Sequence, residues 1–144
     1  GDKTYVLDRI VAERELRVVF PIGINAPATA TASGKLLLAE LSEEAVRALL
    51  PDPLPVFTPL TLTREALFEQ LVEIKACGLA VDRGEYIEGL CSFAVLLDTY
   101  LGRYTIAIVA PSTRMVSRSE QFQQALLACK HNIERAIGCT PAKS

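Results

Sequence analysis

The sequence predicts an α+β domain, a mainly antiparallel β-sheet flanked by α-helices, and three observations carry that expectation. Half of the 144 residues are apolar, enough for a single domain over residues 1–144 with its own core. The middle of the chain carries helical periodicity until Gly78, and from Leu79 onward the period becomes that of strands. The strand-like runs are joined by short turns, as hairpins are, with helices interspersed among them.

Residues 4–10 (TYVLDRI) are rich in β-branched and aromatic side chains, and residues 16–20 (LRVVF) follow a charged turn, so the two runs read as a hairpin. Residues 21–27, punctuated by Pro, Gly and Asn, read as loop. The run ATASGKLLLAEL (residues 30–41) opens an apolar helix, and Ser42 caps a second one whose first turn carries Glu43 and Glu44. Pro51, Pro53, Pro55 and Pro59 keep the next stretch from regular helix. Thr63 then caps a helix with Leu67, Leu71 and Ile74 on one face, and Gly78 stops it.

Strands are expected at residues 79–81, 91–97 and 103–109, the last two forming a hairpin. A final helix is expected from the capping box at Ser117 to Glu120, with Phe122, Leu126, Cys129, Ile133 and Ile137 along one stripe before Gly138.

The formal net charge is −2 and no segment gathers Lys and Arg into a stripe, which makes the chain a poor holder of polyanions by itself. Apolar runs such as residues 36–39 are too short to span a bilayer and no signal-peptide pattern is present, so a cytoplasmic chain is expected. The four cysteines, Cys77, Cys91, Cys129 and Cys139, include no C-x-x-C pair, which disfavours a metal site or a disulfide framework; most should be small buried apolar groups. No cofactor motif appears. The Gly34-Lys35 pair is not a phosphate loop, because Thr29 stands where the first Gly is needed and Leu36 where Mg²⁺ needs a hydroxyl.

Catalytic sets are equally thin. His131 is the only imidazole and projects away from the apolar stripe toward solvent, so a Cys91–His131 dyad has no support in spacing. The acids Asp82, Glu85 and Glu88 lie between two strands: either a solvated loop, or a loop from which one acid turns inward to bind a polar ligand. Cys91 opens an apolar strand and reads as core or as a ligand contact.

Four blocks in one order resemble the C-terminal effector-binding domain of the IclR-type transcriptional regulators. They are TYVLDRI at the start, ATASGKLLLAEL, GLAVDRGEYIEGLCSFAVLLD (residues 78–98), and PSTR at residues 111–114 before the last helix; Pro59, Thr61 and Thr63 match a threonine-rich run of that family. The resemblance spans essentially the whole chain. It implies a GAF-like fold with an antiparallel sheet of about six strands and a small-molecule pocket on one face, in a homodimer or homotetramer.

It also implies that DNA is bound only through an N-terminal winged helix-turn-helix that this chain does not contain. By matching positions, the family's pocket maps onto Ala32, Ser33 and Gly34, then Asp82, Cys91, and Ala107 and Val109 on the strand before Pro111. Many relatives carry serines where this chain has Ala107 and Val109, so a more apolar pocket is implied, for a small organic metabolite such as a carboxylate with an apolar body. Two spacings depart from the family: one residue is missing between Gly89 and Cys91, and residues 102–111 are about two short.

Three readings follow: an effector-binding regulatory domain, which is expected; a free-standing GAF-like enzyme using the Cys91 thiol; or a purely structural oligomerisation module.

Overall fold

The computed structural model describes residues 3–5, 25–99 and 102–137. The chain runs as β1 (Lys3–Tyr5), β2 (Asn25–Pro27), α1 (Ala32–Ala39), α2 (Glu43–Leu49), α3 (Arg64–Cys77), β3 (Leu79–Arg83), β4 (Leu90–Thr99), β5 (Gly102–Pro111) and α4 (Ser112–Ile137). The expected hairpin over residues 4–20 falls almost wholly outside the described residues. β1 pairs with β2, so part of the expected loop is a strand: Lys3 lies opposite Pro27 and Tyr5 opposite Asn25. Backbone pairing outweighs the turn chemistry of Asn and Pro here, and Pro27 closes the short strand, where a missing N–H costs little.

The helix boundaries follow from side-chain caps. Thr31 is extended, and its Oγ1 accepts from Gly34 N at 3.1 Å while donating to the Pro27 carbonyl at 2.9 Å, so one hydroxyl ties α1 to the end of β2. Ser42 accepts from Ala45 N and Thr63 from Ala66 N in the same way. Gly78 ends α3 in the left-handed region at φ 73°, where a β-carbon would be strained.

Strands β3, β4 and β5 form an antiparallel three-stranded sheet in that order. Successive side chains alternate faces. One face carries Leu79, Val81, Cys91, Phe93, Val95, Ile106, Ile108 and Ala110, which pack against Met115, Phe122 and Leu126 of α4. The other is crossed by two rows of opposed residues, Asp82–Ser92–Val109 and Ala80–Ala94–Ala107, and is covered by α1 and α3 through Leu36, Leu38, Leu67, Leu71 and Ile74. Two small buried side chains in one row, Ala80 and Ala94, let α1 approach the strands closely. The sheet therefore sits between two apolar layers, as an α+β domain requires.

α4 departs from expectation at its start. It begins at Ser112 rather than near Ser117, Ser117 Oγ donates to the Arg114 carbonyl, and Arg118 is non-helical at φ −130°. A kink at Arg118 thus divides residues 112–137 into two helical segments, the second starting close to the expected capping box. Its sheet-facing side then follows steps of four, Phe122, Leu126, Lys130 and Glu134, with Lys130 Nζ donating to the Leu96 carbonyl at 2.6 Å and Glu134 accepting from Asp98 N at 3.2 Å. Cys129 falls to one side of that line and is exposed, and so is Cys77, which corrects the expectation that most thiols are buried; of the three described cysteines only Cys91 is. Cys139 lies outside the described residues.

Candidate functional site

Of the pocket residues named from sequence, all but Cys91 belong either to the first turn of α1 or to the sheet face that α1 covers. The first turn of α1 supplies Ala32, Ser33 and Gly34. Ala32 is buried within the core, Ser33 is half-buried, and the N–H groups of a first helical turn have no intrahelical acceptor. Gly34 is bare for a local packing reason. A β-carbon there would lie 2.3 Å from Ala28 Cα and 2.5 Å from the Ala28 carbonyl oxygen, so its bare backbone is needed for the chain before α1 to cross it.

On the sheet, Asp82, Ser92 and Val109 form one row facing α1, with Ala107 in the next row. Asp82 and Ser92 are buried, whereas Ala107 and Val109 are exposed. Cys91 points to the opposite face. Its partners across the strands are Arg83 and Ala110, it packs in the α4 core, and its Sγ lies 3.3 Å from Ser112 Oγ. The sheet thus separates Cys91 from Asp82, Ala107 and Val109. Neighbouring residues of a strand face opposite sides, so Cys91 and Ser92 cannot both face α1. Ser92 takes the inward position instead. Sequence reading missed it, although it is the only hydroxyl in the run CSFAVLL.

Beneath α1 lies a buried ionic cluster. Lys35 is fully buried, and its Nζ donates to Glu85 Oε1 at 2.8 Å and Oε2 at 3.1 Å, to Gln70 Oε1 at 2.8 Å, and to the Val81 carbonyl. Burial lowers the ammonium below the usual lysine range, and the Glu85 carboxylate works against that shift. Glu85 is 2% exposed and also accepts from Arg83 N at 3.1 Å.

Asp82 Oδ1 accepts from Glu85 N at 2.8 Å. Burial pushes the Asp82 carboxyl up to about 6 against that hydrogen bond, with the Glu85 charge adding to the rise. Thr58 Oγ1 donates to the Gly84 carbonyl and Thr61 Oγ1 to the Glu85 carbonyl, both at 2.6 Å, so the proline-rich connection clamps the β3–β4 turn. Of the three acids expected between the strands, Asp82 lies within β3 and is buried, Glu85 in the turn is buried, and Glu88 is exposed. His131 is exposed, as expected. Among the described residues no group of His, Cys, Asp and Glu could hold a metal ion, and no helix is long and apolar enough to cross a membrane.

Comparison with known proteins bears on this geometry. The family model of the bacterial transcriptional regulator IclR C-terminal domain matches residues 1–135. The chain is 60% identical over 144 residues to the HTH-type transcriptional regulator TtgV of Pseudomonas putida, covering all of this chain and 56% of that relative. It thus spans about half the length of the curated relatives it matches. Its fold is similar to that of the Thermotoga maritima IclR, at TM-score 0.78 and 25% identity, over 96% of this chain and 58% of that one. It is also similar to the inducer-binding domain of the PobR transcription factor from Acinetobacter, a double mutant in complex with 3-hydroxybenzoic acid. There the TM-score is 0.73 at 21% identity, over 90% of this chain and 84% of that one.

Proposed function

Because the chain belongs to the IclR family, as the C-terminal domain of a bacterial transcriptional regulator, we propose that it holds a small-molecule effector between the first turn of α1 and the Asp82–Ser92–Val109 row of the sheet. The observation that supports this most directly is the composition of that row. A buried acid and a buried hydroxyl lie in line with one exposed apolar position, Val109, and a second, Ala107, lies in the next row of the same face. Polar recognition at one end and an apolar body at the other is the usual make-up of a small-molecule site.

Ser33 and the N–H groups of Ala32 and Ser33 meet the head group, the Gly34 backbone shapes the turn, and Ala107 and Val109 receive the apolar body. The ligand is a small organic metabolite, with a carboxylate or hydroxyl head. Cys91 is set apart from this site by the sheet and supplies no contact.

The chain assembles as a homodimer or homotetramer in the cytoplasm, and DNA is bound by a separate N-terminal winged helix-turn-helix. Effector binding acts by linkage: a ligand favouring one arrangement of the assembly shifts its population by its differential affinity, and the DNA-binding domains follow.

A thermal-shift screen of organic acids and aromatic alcohols tests the reading. A ligand at one hundred times its Kd stabilises the native state by about 2.7 kcal/mol, which raises Tm by several degrees. Ser33→Phe, at a half-buried position, abolishes that shift while leaving the unliganded Tm close to wild type. Unchanged binding by that variant removes α1 from the site, and a screen without hits favours a purely structural oligomerisation module.

A further inference from the structure

The buried cluster under α1 does not balance its charge. Lys35 brings one ammonium, while Glu85 and Asp82 bring two carboxylates, and all three are buried. The ammonium is committed to Glu85, Gln70 and the Val81 carbonyl. Asp82 receives only the Glu85 N–H, on Oδ1, among the described residues. Among its remaining neighbours the Lys35 charge favours the ionised form, but the hydrogen bonds of that ammonium go to other groups; α3 offers Gln70, already paired, β4 offers Ser92, β5 offers Val109, and the β3–β4 turn offers the Glu85 carboxylate, which opposes ionisation. Arg83, next along β3, is exposed and pairs across the sheet with Cys91, on the other face.

We propose that Asp82 determines which ligand charge the site accepts: a neutral, hydroxyl-bearing compound binds without change in protonation, whereas an organic acid binds only together with one proton, carried on Asp82. This rests on the effector-site reading above and adds its regulation by ligand charge and pH. A hydroxyl donates directly to Asp82 Oδ2. An incoming carboxylate would place a third acid against a single, already paired ammonium. Mutual repulsion of buried carboxylates is relieved when one takes up a proton, as in paired acids that share a site. The proton comes from solvent, sits on Oδ2, and points toward the ligand. Because burial already holds the Asp82 carboxyl up to about 6, protonation near neutral pH needs only a further rise of the size that a neighbouring carboxylate supplies.

The test uses the purified protein with 3-hydroxybenzoate, which stays ionised over the range studied, and 3-hydroxybenzyl alcohol, its uncharged match. Isothermal titration in two buffers of different ionisation enthalpy counts the protons taken up. The expected result for the acid is uptake of about one proton at pH 7.5 and an affinity that falls about tenfold per pH unit above pH 7; for the alcohol it is no uptake and no gain in affinity on acidification. Asp82→Asn keeps an acceptor for the Glu85 N–H and removes both the uptake and the pH dependence. Should that variant fail to fold, the proton count on the wild-type protein still decides.

Acid binding with no proton uptake and no pH dependence overturns the proposal and leaves the effector site standing. If neither compound, nor any member of the organic-acid and aromatic-alcohol panel, binds at any pH, the effector-site reading falls and the proposal with it.

Discussion

Lys35→Met is the perturbation that most sharply tests how this fold is held together. Methionine nearly matches the length of lysine and removes only the ammonium, so packing around α1 is largely kept. The Glu85 carboxylate, with a side chain 3% exposed, then loses its cation and keeps only the Arg83 N–H, while Gln70 Oε1 and the Val81 carbonyl lose their donor. Breaking a buried pair from one side costs about 3–5 kcal/mol, a third or more of the stability of an ordinary domain. Removing both charges, as in Lys35→Met with Glu85→Leu, takes away the uncompensated carboxylate and recovers most of that loss.

Urea denaturation followed by circular dichroism measures all four corners of the cycle, and unchanged slopes confirm that only stability has moved. The reasoning fails if Lys35→Met costs less than about 1 kcal/mol, or if the double variant loses the full sum of the two single ones.

Gly34→Ala should cost about 3 kcal/mol, the upper end for overpacking, because the obstacle is the Ala28 backbone and not a flexible side chain; a Tm equal to wild type refutes the close crossing. The raised Asp82 carboxyl makes its own stabilising contribution greatest below its unfolded value of 3.8, and that contribution is lost as pH rises through about 6. The stability of wild type relative to Asp82→Asn should therefore fall by about 3 kcal/mol between pH 3.5 and pH 8, read from denaturation curves at each pH. Lys130→Ala should cost about 1 kcal/mol through the lost bond to the Leu96 carbonyl, and a neutral result by chemical denaturation means that solvent already replaces it.

Much of the architecture was legible because it is locally encoded. The caps at Ser42 and Thr63, the stop at Gly78 and the buried stripe of Leu67, Leu71 and Ile74 each follow from a few neighbouring residues. Alternation puts Ala107 and Val109 on one face of β5, whereas Asp82, expected in a loop after residues 79–81, was joined to them only by the family resemblance. Non-local choices were not legible. Whether Cys91 or Ser92 faces α1 depends on the register with β3 and β5, and the helical turn that precedes the kink at Arg118 depends on more than the capping box after it. The pairing of Lys35 with Glu85 joins residues 50 apart in sequence. A lysine inside an apolar run signals that some acid must be found for it, but nothing local says which.

The row Ala80–Ala94–Ala107 has an evolutionary reading. Its first two members are closed off beneath the helix at 0% exposure, where any added carbon would wedge α1 away from the strands. The third stands at the open end of the same row. If the effector rests where proposed, bulk added there shortens the room for it without disturbing the helix, so drift at a single codon would resize what the domain recognises while its foldability is left untouched.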